Sequence, residues 1–306
     1  KLLVEFSSGV SFVATLMATN PDRGQYQPGT LTQENIVRRL LGPFYTDETS
    51  KAVVCACSLF SKLGFSDELA HQLEAIAMHS DIFEVDTGKI NLNDVDDWKK
   101  TKFKEICKQL LERQLLEKRG RTYTFRPSPL AVRMAEEWWR NCTEKKFERI
   151  LPVLKEANLV ESFCEQFQFL KQVDNAKTIV KNLCDGFFSS AEVLNTAVGS
   201  RLFRSFVYVN PVACSEALYK AHINLPKETL EAMREGRRDL VWALEKLCFR
   251  PETFVESAKV LATFAVAENE NIANNATGQF LQLYHIQLPG TAANLEARWQ
   301  IIQFCL

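Results

Sequence analysis

The sequence predicts a mainly α-helical fold. Three observations carry that prediction. Apolar residues recur at helical spacing along nearly the whole chain. Capping residues, glycines and prolines stand where the apolar stripes begin and stop. Only one short stretch, "RTYTF" at 121–125, alternates apolar and polar side chains as a strand does.

The elements follow in order. In "PGTLTQENIVRRLLG" (28–42), Thr30 and Gln33 have capping-box spacing, and Gly42 with Pro43 ends the helix. "SKAVVCACSLFSKLG" (50–64) reads as a buried helix stopped by Gly64. "SDELAHQLEAIA" (66–77) reads as the next helix, with Ser66 as its N-cap. A long helix then begins near residue 95, with Phe103, Ile106, Cys107, Leu110 and Leu111 on one face and Gly120 as its expected stop. After the strand, "RPSPL" (126–130) is a turn that launches a helix ending near "WW" at Trp138 and Trp139. One of these rings is expected in the core and the other against a neighbouring helix. Helix, helix, β-ribbon and helix over 45–142 make a winged-helix pattern. From 143 to 306 there is no strand signal. Short linkers join one helical segment to the next, and Pro211, Pro226 and Pro251 sit at expected first turns, where a missing N–H costs nothing. Antiparallel helix pairs stacked into an α-solenoid, HEAT-like but without a fixed period, fit this region.

Composition narrows the function. With 306 residues and 46% hydrophobic content the chain is long enough for about two domains. A net charge of −1 gives no global attraction to nucleic acid or acidic lipid. The 9 cysteines are odd in number, irregularly spaced and set among apolar neighbours, which argues against a disulfide framework and for a reducing, cytoplasmic location, with Cys55 and Cys57 as small core residues. No apolar run reaches the roughly 18 residues that span a bilayer. The chain opens and closes inside apolar helical patterns, so it is expected to be part of something longer.

Motifs for chemistry are missing. The chain has no G-x-x-x-x-G-K-[ST], G-x-G-x-x-G, C-x-x-C, H-E-x-x-H or G-x-S-x-G. The histidines, His71, His79, His222 and His285, have no partners at ligand spacing, so surface or capping roles are expected and no metal site is. The acid pairs Glu136–Glu137 and Asp96–Asp97 read as solvated helix positions. No catalytic residue is assigned.

Two segments offer binding chemistry. Lys99, Lys100 and Lys104 on the long helix, with Arg121 in the ribbon, are the nucleic-acid candidates, since a winged helix lays one helix in a groove and its wing on phosphates. Glu105, Glu112 and Glu117 interleave with them, so a solvated face is the preferred reading and nucleic acid is not the expected partner. The second segment is "AENENIANNATGQFLQLYHI" (267–286). Asn269, Asn271, Asn274 and Asn275 offer amides that could grip a protein partner. The preferred reading is that they cap adjoining helices, with Asn274 and Asn275 in a left-handed turn and Phe264 and Phe280 in the core between those helices.

Three stretches together resemble the STAND class, signal-transduction ATPases with numerous domains, in its prokaryotic defence-type form. "FSSGVSFVATLMA" (6–18) looks like the helical lid that follows the nucleotide-binding core. Gly9 matches the family's glycine there, and Ser11 stands where the family has an adenine-touching proline. The winged-helix region is the second stretch. "FRPSPL" (125–130) occupies the place of the family's Met-His-Asp motif, which carries Arg126 toward a phosphate although no histidine is present. The third is the helical region from "VNPVACSEAL" (209–218) onward. The resemblance implies a lid over 1–44, a winged helix over 45–142 and a solenoid over 143–306. It implies ATP and Mg²⁺ in a core before Lys1, no cofactor within this chain, a sensed protein partner in antiviral defence, and oligomerisation of the full-length protein. The expected role is a non-catalytic regulatory and sensor segment. A winged-helix DNA-binding regulator with a helical ligand or dimerisation domain is the alternative.

Overall fold

The computed structural model describes residues 33–88, 90–91 and 93–306. Gly9, Ser11 and Thr30, and with them most of the expected lid, lie outside the described residues. The fold is mainly α, as expected, with one small sheet. Compactness divides the chain into two units, Lys1–Gln166 and Phe167–Leu306. The β-containing pattern ends near 142, and the first unit also takes in the helices that follow it up to Gln166.

The first unit begins with α1 (Gln33–Leu41), α2 (Pro43–Thr46) and α3 (Glu48–Ser58). Gly42 ends α1 at φ 56. Asp47 caps α3 by accepting from Ser50 N at 2.8 Å. The expected run of α3 to Gly64 is corrected, because the helix stops at Ser58 and Leu63–Gly64 form a strand, β1. A close contact explains the glycine there. A Cβ on Gly64 would lie 2.2 Å from Leu69 Cβ, so no other residue fits without movement. Gly64 N donates to Gln72 Oε1 at 2.9 Å, and Gln72 Nε2 donates to Ala157 O at 3.1 Å.

Helix α4 (Ala70–Met78) is entered through a 3-10 turn at Asp67–Leu69. Ser66 is therefore not its side-chain cap. Its hydroxyl faces Asp67 Oδ2 at 3.3 Å. Helix α5 (Val95–Glu112) buries Phe103, Ile106, Cys107 and Leu110 as expected. It ends at Glu112, earlier than expected, because Leu116–Arg119 pair as β2 with β3 (Thr122–Phe125). Gly120 turns this two-residue hairpin at φ 60. The antiparallel sheet has the order β1–β3–β2, with Leu63 opposite Tyr123 and Leu116 opposite Phe125.

Helices α6 (Ser128–Arg140), α7 (Glu144–Glu156) and α8 (Val160–Phe167) follow. Both tryptophans are buried. Trp139 packs on Phe147 of α7, with centroids 5.8 Å apart, and on Phe163 of α8 at 6.0 Å. Trp138 donates from Nε1 to Asp81 O at 3.1 Å. Arg149 then holds the Asp81 carboxylate through two bonds of 2.7 Å.

The second unit holds α9 (Asp174–Asp185), α10 (Ala191–Leu194), α11 (Ala197–Phe206), α12 (Pro211–His222), α13 (Lys227–Ala232), α14 (Arg237–Phe249), α15 (Phe254–Val266), α16 (Ala276–Gln282) and α17 (Leu295–Cys305). They pack in two ranks. In one, α9 meets α12, α12 meets α15 and α15 meets α17. In the other, α11 meets α14 and α14 meets α16. Polar contacts join neighbours in each rank. Asn210 caps α12 through Ala213 N and donates to Lys177 O of α9 at 3.0 Å. Ser215 and Ser257 share a buried bond of 2.8 Å between α12 and α15. The buried Asp239 of α14 accepts from Arg204 of α11 at 2.7 Å. Pro211 begins α12, whereas Pro226 is the residue before α13 and Pro251 lies in the turn before α15.

His222 departs from the surface or capping role expected of it, because it is fully buried. Its Nδ1–H donates to Leu218 O at 3.0 Å, and its ring meets Phe264 with centroids 5.4 Å apart. Burial drives its pKa from 6.5 down to about 4, only partly opposed by the Leu218 bond. The fold therefore holds His222 neutral while the unfolded chain protonates it. Stability is complete above about pH 6.5 and falls as pH drops toward 4, by roughly 3 kcal/mol in total. Urea unfolding between pH 7 and 4 is expected to show this slope, and His222→Gln is expected to flatten it. An unchanged slope in the variant would assign the titration elsewhere.

Candidate functional site

The asparagine elbow is organised from the inside by Arg237, which is 1% exposed. Its Nη1 donates to Leu230 O at 3.0 Å, and its Nη2 to Phe264 O at 2.7 Å and Ala267 O at 2.8 Å. Glu268 Oε1 lies 3.5 Å from Nη2. The Glu268 carboxylate also accepts from the backbone N–H of Asn269, Glu270 and Thr277 at 3.0, 3.1 and 2.9 Å. Burial works to raise its pKa. The N–H donors of Thr277, Glu270 and Asn269, with Arg237 nearby, outweigh burial and hold the pKa below its ordinary value. One carboxylate thus gathers the backbone from 268 to 277.

The four asparagines divide into two pairs. Asn269 donates from Nδ2 to Glu231 O and Met233 O, both at 2.7 Å, and so ties the elbow to the end of α13. Asn275 is the N-cap of α16. It accepts from Gly278 N at 2.8 Å and donates to Glu270 O at 2.8 Å. Asn271 and Asn274 are exposed. The expected left-handed turn is corrected, because Asn275 has φ −71 and ψ −179, the extended backbone an N-cap adopts, and Asn274 has no positive φ. Phe264 is buried as expected, but Phe280 is half-buried and packs on Tyr284 with centroids 5.4 Å apart.

The other candidates lie in the first unit. Arg126 lines a cleft of about 480 Å³ with Leu116, Glu117, Pro127 and Ser128. Its Nε donates to Glu117 Oε2 at 3.1 Å and its Nη1 to Ser128 Oγ at 3.0 Å. The guanidinium is therefore already engaged in the turn that launches α6. On the basic face, Lys104 pairs with Glu74 at 3.3 Å and Arg121 with Glu68 at 2.9 Å. Lys99 and Lys100 make no ion pair among the described residues. Of the acids expected to be solvated, Glu137 pairs with Lys51 at 3.2 Å and Glu136 with Arg133 at 2.7 Å, and both are largely covered. No cluster of three or more His, Cys, Asp or Glu placed to hold a metal occurs among the described residues. All nine cysteines are free. No helix among the described residues is long and apolar enough to cross a membrane.

No protein-family model, curated protein or solved structure matches this chain. The residues that matter most in the elbow, Arg237 and Glu268, had no signal in the sequence. Nothing in the letters of "EGRRDL" (235–240) separates Arg237 from its charged neighbours, and only a buried backbone needing donors singles it out.

Asn275→Ala is expected to cost about 0.5–2 kcal/mol through loss of the cap. Asn269→Ala is expected to cost about 1–3 kcal/mol by leaving two carbonyls unpaired. Asn271→Ala and Asn274→Ala are expected to stay within about 0.5 kcal/mol of the parent. Chemical denaturation of the four variants checks this. Equal effects at all four positions would contradict the division.

Proposed function

We propose that this chain is a non-catalytic regulatory and sensor segment of a STAND-like ATPase working in the cytoplasm. In this reading residues 45–142, within the first unit, are a winged helix that couples a nucleotide switch to the helical array of 143–306, and that array recognises a protein partner. The observation that carries the reading is the second unit's two ranks of stacked helices, an arrangement that builds extended surface for protein contact. The first unit's order of helix, strand, two helices, hairpin and helix supports the winged-helix assignment. Antiviral defence and oligomerisation of the full-length protein belong to the same proposal, as do ATP and Mg²⁺ in a core before Lys1.

Arg126 has a place in this proposal only if an incoming phosphate displaces Glu117 from its guanidinium. The elbow has a smaller one. Asn269 and Asn275 spend their amides inside the fold, which leaves Asn271 and Asn274 as its outward groups.

The second reading is a DNA-binding regulator, favoured by Lys99 and Lys100, which make no ion pair among the described residues. Pairing of Lys104 and Arg121 with acids argues against it. Calorimetric titration of the chain with Mg–ATP is expected to give no binding in the micromolar range, and tight binding would overturn the non-catalytic role. A DNA mobility shift with a steep salt slope, lost on Lys99→Ala with Lys100→Ala, would replace the first reading by the second.

A further inference from the structure

The second unit holds a pair of thiols whose chemistry the sensor reading does not use. Cys184 of α9 and Cys214 of α12 face each other with their Sγ atoms 3.8 Å apart. Both residues are buried, at 3% and 0% exposure. The sulfurs are in van der Waals contact, and a disulfide requires about 2.05 Å. Less than about 2 Å of closure therefore separates the dithiol from the bonded state.

Placement in the helices makes that closure accessible. Cys184 stands in the last turn of α9, which ends at Asp185. Cys214 stands in the first turn of α12, which begins at Pro211, and its N–H donates to Asn210 O at 3.2 Å. Helix ends open more readily than helix interiors, so both sulfurs are carried by backbone that can give. The same two helices are already tied nearby, because Asn210 Nδ2 donates to Lys177 O at 3.0 Å. A bond between the sulfurs would join elements that the fold has brought together. A second pair, Cys57 and Cys107 with Sγ atoms 3.9 Å apart, lacks this placement, since Cys107 lies more than one turn inside α5.

The two thiols are not equivalent. Burial, and then the contact with the Cys184 sulfur, pushes the Cys214 thiol well above its ordinary pKa and keeps it protonated. Cys184 is the less covered of the two and stands beside the end of its helix, so an oxidant entering there meets it first.

We propose that Cys184 and Cys214 form a redox-responsive pair, in which hydrogen peroxide oxidises Cys184 and Cys214 then closes a disulfide that locks α9 to α12. In the first step the Cys184 sulfur attacks the peroxide. An S–O bond forms, the O–O bond breaks, and water leaves with the thiol proton. In the second step the Cys214 sulfur attacks the sulfenic sulfur. An S–S bond forms, the S–O bond breaks, and a second water leaves with the Cys214 proton. The sulfurs lose two electrons in all, and the peroxide gains them. The pair does not depend on the sensor reading and would stand without it.

The test treats the whole chain carrying Cys305→Ser with hydrogen peroxide. That substitution removes the exposed thiol, which would otherwise link copies of the chain. Remaining thiols are alkylated in denaturant, and the unreduced chain is digested and mapped by mass spectrometry. The expected product joins Cys184 to Cys214, and dithiothreitol is expected to return both as free thiols. Before that reduction the oxidised sample is expected to melt about 4 °C or more above its re-reduced counterpart, because the cross-link restricts the unfolded chain. Cys214→Ala removes the resolving thiol, so trapping of sulfenic acid at Cys184 by a 1,3-diketone probe is expected to exceed that in the parent severalfold. Recovery of Cys184 and Cys214 as free thiols, under conditions that oxidise Cys305 in the parent chain, overturns the proposal. A link from Cys184 to any other residue overturns it too, and a cross-linked chain that melts no higher overturns the locking of α9 to α12. If Cys214→Ala fails to fold, the mapping still decides, since it leaves the buried thiols unaltered.

Discussion

Arg237 is a cation almost wholly removed from water, and the second unit brings three carbonyls and one carboxylate to its two Nη groups. A buried guanidinium is tolerated only when its N–H groups find acceptors and an acid lies near. Here the acceptors are the carbonyls of Leu230, Phe264 and Ala267, and the acid is Glu268. These groups come from α13, from α15 and from the chain just after it. Glu268 then passes the constraint on by accepting from three backbone N–H groups, the last of them at Thr277 in α16. The orientation of α16 follows from that anchor. An unpaired charge at Arg237 would loosen the elbow and the cap at Asn275 together.

The first unit depends on a different economy of space. Gly64 lets β1 approach the turn before α4, and Gln72 uses both ends of its amide to join that strand to the end of α7. Around this junction the charged residues are closed into pairs, including Lys146 with Glu84 and Arg149 with Asp81. Most of those pairs are exposed or half-exposed, so each contributes little to stability. Their consequence is electrostatic: Glu74 and Glu68 quiet Lys104 and Arg121, part of the basic face on which a nucleic-acid role would rest.

Much of this architecture was legible in the sequence, and the failures have physical reasons. The stripe of Phe103, Ile106, Cys107 and Leu110 located the long helix because burial of one face imposes helical spacing. The strand "TYTF" was visible because it alternates. Its partner "LEKR" was not, since only Leu116 of that strand is buried and charged residues fill the rest. Leu63 and Gly64 look in sequence like the end of a helix, because a two-residue strand leaves no pattern to detect. His222 was misplaced for a similar reason: a single histidine gives no sign of whether its Nδ1–H has found a carbonyl one turn away. Asn275 was recognised as a helix cap, but its backbone was misassigned, since asparagine suits both a left-handed turn and an N-cap.

The claim on which this account turns is that Glu268, held by Arg237, keeps the segment from 268 to 282 in place from within. Hydrogen exchange of the Glu268→Gln variant tests it most directly. Glutamine keeps the shape but loses the charge that Arg237 and the three N–H donors require. The account predicts that amide protection collapses together across 268–282, including Asn269, Glu270 and Thr277, while α9 and α12 exchange as in the parent. Protection of 268–282 unchanged from the parent, with the variant otherwise folded, would contradict it.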